Sequence, residues 1–81
     1  MPRALTIVER RVSDAERAEY LAALSPRKQR AAEVPAHFWV FEHADERGRF
    51  VEFTEAAGDE QIAAFHESDT PPDIWREVQG G

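Results

Sequence analysis

The chain has 81 residues, no cysteine, and sixteen Asp and Glu against ten Lys and Arg, a formal net charge of −6. That length makes residues 1–81 one domain, and a domain this small buries only about 60% of its unfolded surface, so a partner would help it. Without cysteine there is no disulfide or thiolate metal site, and a net negative chain repels a phosphate backbone, so nucleic-acid binding is not expected.

The opening MPRALTIVERR has no apolar run of the signal-peptide kind, and no stretch approaches the roughly 20 apolar residues of a membrane helix. The expectation is a cytoplasmic protein that does not enter a membrane. Leu5 to Val12 is β-branched and partly alternating, which predicts a strand. Ser13-Asp14-Ala15-Glu16 then reads as a capping box that opens a helix. Ala18, Leu21, Ala22 and Leu24 give that helix an apolar stripe, and Ser25-Pro26 predicts a kink or restart, with proline at a first helical position. The basic cluster Arg27, Lys28 and Arg30 reads as a solvated helix face.

Pro35 ends the helix, and Ala36 to His43 is the strongest strand of the chain. Asp45-Glu46-Arg47-Gly48 turns it back into Arg49 to Thr54, a hairpin. Asp59 to Ser68 is a second helix, stopped by Thr70-Pro71-Pro72, and Ile74 to Gln79 is either a short last strand or a frayed tail. The order βαββα, with a possible final β, predicts an α+β fold of ferredoxin-like pattern with an antiparallel sheet. Side chains alternate along a strand, so Phe38 and Val40 take one face of the second strand while Trp39 and Phe41 take the other. Helices on one side bury only one face. The other predicts a homodimer with sheet packed on sheet.

Gly48 to Ser68, GRFVEFTEAAGDEQIAAFHES, resembles the strand, acidic turn and helix of the antibiotic biosynthesis monooxygenase-like proteins, with Asp59, Glu60 and His66 at matching spacing. The resemblance implies a dimeric α/β barrel with an apolar cavity between helices and sheet. It also implies chemistry of the kinds found in that family: cofactor-independent oxidation of aromatic substrates, haem degradation, or no known activity. The chain departs from the family pattern at Thr54 to Gly58, where members commonly carry Trp after the glutamate of the third strand.

His66 is the histidine that the resemblance matches; it reads as a structural or cavity-lining residue, or, if it works chemically, as a proton acceptor for a phenol or a hydrogen-bond donor to a polar substrate atom. Tyr20 is its candidate partner in proton handling. Trp39, Phe41 and Phe65, with Trp75, are the aromatics able to line a pocket, the alternative being core and interface. His37 and His43 share the Trp39 face but stand roughly 20 Å apart along the strand, too far to hold one ion. Glu52 joins the His43 face if residues 45–48 form the whole loop, with Phe41 opposite Glu52. It points away if Gly48 takes a left-handed bulge, with Phe41 opposite Phe53. No metal site and no cofactor is expected, since no phosphate loop, catalytic serine triad or zinc-binding helix is present. Two readings follow, and a third beside them. The first is a cofactor-independent monooxygenase acting on an aromatic substrate. The second is a non-catalytic homodimer that serves assembly or binds a small apolar or aromatic ligand, and the third is a haem-binding or haem-degrading protein.

Overall fold

The computed structural model describes residues 3–68 and 71–80. Its elements run β1 (Ala4–Arg11), α1 (Arg17–Glu33), β2 (His37–Glu42), β3 (Arg49–Ala56), α2 (Asp59–His66) and β4 (Ile74–Arg76). The strands lie in the order β2-β3-β1-β4, and each neighbouring pair is antiparallel. This is an α+β fold, a four-stranded antiparallel sheet with two helices, compatible with a ferredoxin-like fold. The last segment, left open by the sequence, is a strand over Ile74–Arg76.

Both helices pack on the sheet face that carries Ala4, Thr6, Phe38, Phe50, Glu52, Thr54 and Ala56. Ile62 and Phe65 of α2 fill the space between helix and sheet with Ala31 of α1, and Phe38 stacks on Phe65 at 5.2 Å between ring centres. The predicted capping box closes, with the Glu16 N–H donating to Ser13 Oγ at 3.3 Å and the Ser13 N–H reaching Glu16 Oε1 at 3.4 Å. It organises a turn just ahead of α1 rather than the first residue of the helix.

Four expectations for α1 and α2 need correction. Pro26 lies inside one continuous α1, so it makes no restart; it only deprives the Ala22 carbonyl of its helical donor. Of the apolar stripe only Leu24 is part-buried; Ala18, Leu21 and Ala22 face solvent, and α1 turns Tyr20, Leu24, Arg27 and Ala31 toward the sheet. Those residues recur at helical spacing and meet a buried glutamate, whose need for charged partners outweighs the gain from burying alanines. Arg27 and Arg30 are correspondingly part-buried rather than a solvated face. Finally, α2 stops before the predicted prolines. Glu67 takes the left-handed conformation at φ 52° and the Ser68 N–H returns to the Ala63 carbonyl at 3.3 Å. Thr70 lies outside the described residues.

The β2–β3 hairpin follows neither predicted register. Glu42 pairs with Phe50, and the His43 N–H donates to the Arg49 carbonyl at 2.8 Å, so the loop proper is 44–48 and Phe41 faces Val51. Side-chain acceptors hold this longer loop. His43 Nδ1 accepts the N–H groups of Asp45 and Glu46 at 3.0 and 3.2 Å, and the Glu42 carboxylate accepts the Gly48 N–H at 2.9 Å. Arg17 clamps the same carboxylate at 2.6 and 2.7 Å, and its hydrogen bonds hold Glu42 down at a pKa of about 2. Gly48 is left-handed, φ 85°, and a Cβ there would sit 2.3 Å from the Val12 carbonyl oxygen.

Candidate functional site

Alternation along RFVEFTEA places Phe50, Glu52, Thr54 and Ala56 under the helices, and Val51, Phe53 and Glu55 on the other face. Glu52 is therefore a carboxylate in the interior, 2% exposed. Such a group is stable only if every lone pair finds a donor. Arg27 supplies two, at 3.0 Å to each oxygen, Arg10 Nε a third at 3.0 Å, and the Tyr20 hydroxyl a fourth at 2.5 Å. Arg27 in turn stacks over the rings of Phe38 and Phe65 at 4.7 and 6.0 Å. Burial works against the ionised Glu52, but the hydrogen bonds from Arg27 and Tyr20 and the charges of Arg27 and Arg10 outweigh it, so its pKa is lowered.

This network sets the chemistry of Tyr20. Burial, followed by its bond to Glu52, raises the Tyr20 pKa, so the phenol stays protonated and acts as a donor to Glu52. His66 sits beside the cluster at the end of α2. Its Nε2 meets the fully buried Thr6 Oγ1 at 2.8 Å, and its ring abuts Phe65 at 5.2 Å. Burial lowers the His66 pKa, helped by the positive Arg27, so the neutral imidazole is favoured. Phe65 is a core residue, 1% exposed, rather than the wall of a pocket. His43 caps the hairpin loop. Glu52 lies on the face opposite His43, Trp39 and Phe41, the consequence of the Phe41–Val51 register.

The predicted site residues thus divide. His66, Tyr20, Glu52 and Phe65 come together between helices and sheet, whereas Trp39 and Phe41 lie on the uncovered face, 45% and 54% exposed. Arg10 and Thr6, which the sequence did not single out, complete the interior cluster with Arg27, which it read as part of a solvated helix face. Arg27 was legible in one respect: with Tyr20, Leu24 and Ala31 it falls on one helical face.

The uncovered face is the other candidate. Its rows, read from the strand registers, are His37–Glu55–Leu5–Trp75, then Trp39–Phe53–Ile7, then Phe41–Val51–Glu9. The apolar members form a diagonal band from Trp75 to Phe41, with Phe41 packed edge-on against Phe53 at 5.7 Å. Ile7, Trp39, Phe41 and Trp75 are all exposed. Ion pairs stand at the ends of the band: Arg3–Glu55 at 2.6 Å, Arg49–Glu9 at 2.7 Å and Arg11–Glu46 at 3.1 Å.

Among the described residues no group of three or more His, Asp or Glu side chains is arranged to hold a metal ion, and no helix is long and apolar enough to cross a membrane. No family model matches the chain, and no curated protein or solved structure matches it.

Proposed function

We propose that the protein works as a non-catalytic homodimer, two copies meeting through the uncovered faces of their sheets, the arrangement that would complete an α/β barrel. The observation that carries this reading is the uncovered apolar band of Ile7, Trp39, Phe41, Phe53 and Trp75. Both tryptophans of this sheet, with Ile7, Phe41 and Phe53, point away from the helices, while the face toward them mixes Phe38 and Phe50 with Thr6, Glu52 and Thr54. Apolar patches of this extent mark interaction surfaces.

Charge favours a second copy as the occupant. The two inner strands have eight residues and the flanking ones six and three, so the face measures at most about 27 by 14 Å, near 400 Å². Two copies would bury about 800 Å² together, a small interface whose strength rests on the aromatic anchors Trp39, Phe41 and Trp75 rather than on area. A chain of net charge −6 repels its own kind, but on this face three carboxylates are matched by arginines, Glu9 by Arg49, Glu46 by Arg11 and Glu55 by Arg3, which leaves Glu77 at the Trp75 end. Most of the surplus negative charge lies elsewhere. Two such faces therefore meet with little net repulsion.

The helix–sheet interior supports the non-catalytic reading over the monooxygenase one. Phe65 and Ile62 fill the space beside His66, its imidazole is bonded to Thr6, and the Tyr20 hydroxyl is committed to Glu52. The test is a pair of glutamate substitutions followed by sedimentation velocity. Ile7→Glu sets two carboxylates together near the middle of the paired faces and is expected to give monomers. Leu21→Glu, on the solvent side of α1, is expected to leave the assembly intact. Equal behaviour of the two variants would refute the reading.

A further inference from the structure

A cleft of about 590 Å³ lies between the last residues of β1 and the first turns of α1, bordering the proposed pairing face at Glu9 and Arg11. Arg10 stands on its strand wall and Glu16, Glu19 and Tyr20 on its helix wall. Several of its charges are paired. Glu9 is taken by Arg49 and Arg11 by Glu46, while the Glu16 carboxylate accepts only the neutral Ser13 hydroxyl at 2.7 Å and keeps its charge. Beneath the cleft Glu52 carries one negative charge and receives two guanidinium groups, Arg10 and Arg27. The strand wall is left with one surplus positive charge, and the helix wall with the carboxylates of Glu16 and Glu19.

The geometry places that surplus at the cleft. Arg27 spends its fork on Glu52, whereas Arg10 reaches Glu52 only through Nε, and its terminal nitrogens have no acceptor among the described residues. The Arg10 side chain is 48% exposed. On the facing wall Glu19 has no ion-pair partner among the described residues. A held cation and an exposed carboxylate therefore line one cleft from opposite walls, the cation kept in place by a buried carboxylate and the Tyr20 hydroxyl beside it. An anion alone would meet the acidic helix wall, and a cation alone would meet Arg10. A molecule bearing both charges satisfies both walls.

We propose that this cleft binds a small zwitterion of the amino-acid class, its carboxylate on the terminal nitrogens of Arg10 and its ammonium group toward Glu19. Glu52 is a positioning residue here, acting through Arg10 and Tyr20.

The experiment is an NMR titration of the labelled full chain with glycine, 4-aminobutanoate and 6-aminohexanoate, which set the two charges at increasing separation, against acetate and methylammonium. The expected result is saturable shifts of the Arg10 side-chain Nε–H and of the Glu19 and Tyr20 amides with at least one amino acid. Acetate and methylammonium should then bind at least about tenfold more weakly, as should the best amino acid to folded Arg10→Gln or Glu19→Gln. No saturation by any amino acid up to about 10 mM, or equal binding of acetate, overturns the proposal. So does unchanged affinity in Glu19→Gln, an exposed substitution that leaves the Glu52 network intact.

Discussion

At the scale of single residues the molecule turns on Glu52. Removing its carboxylate leaves Arg27 part-buried without its counter-charge, and breaking such a pair costs about 3–5 kcal/mol. Glu52→Ala is therefore expected to lower the urea midpoint sharply, a large share of the roughly 5–15 kcal/mol that holds a domain together. A midpoint near that of the wild type would mean that the network adds little. His66 gives a pH dependence of definite sign. Burial lowers its folded pKa below the ordinary value, so in the window beneath that value the unfolded chain binds the proton first. Stability held above about pH 6.5 is lost as the pH falls toward 5. His66→Gln should flatten that part of the profile in denaturant titrations at pH 7 and pH 5, and an unchanged slope would contradict the assignment. Helical spacing alone sets His66 on the same side of α2 as Ile62, so that much was legible in the sequence. The face of Glu52 was not legible, because it depends on the loop length. The loop length depends in turn on His43 and Glu42 accepting backbone N–H groups, contacts that no alternation pattern encodes.

At the scale of elements the strands and the order of the fold were readable from residue type and alternation, and the orientation of α1 was not. Its apolar stripe of Ala18, Leu21 and Ala22 is the obvious inward face by hydropathy, yet the buried Glu52 draws Arg27 and Tyr20 inward and turns the alanines out. A hydropathy pattern scores each residue alone, whereas this choice belongs to a pair on two elements. Pro26, in the interior of α1, lacks the N–H that the Ala22 carbonyl would accept. Pro26→Ala is expected to raise stability by about 1–3 kcal/mol, as read by thermal or urea unfolding, and a loss would show that the proline is needed where it stands. Gly48→Ala is expected to do the reverse, by about 1–3 kcal/mol. It forces a side chain into a left-handed backbone and against the Val12 carbonyl.

At the scale of the whole molecule the sheet has its stronger apolar side uncovered. The alternation of Phe38, Trp39, Val40 and Phe41 already asked for cover on both faces, and the strand registers align Trp75, Leu5, Ile7, Phe53 and Phe41 into one band. Local pattern was enough to show that both faces of β2 are apolar, while the pairing of charges around the band required the fold. The most direct measurement is sedimentation equilibrium of the unaltered protein at micromolar concentration. The account predicts twice the chain mass of 9.2 kDa. A single species at 9.2 kDa across that range would contradict it.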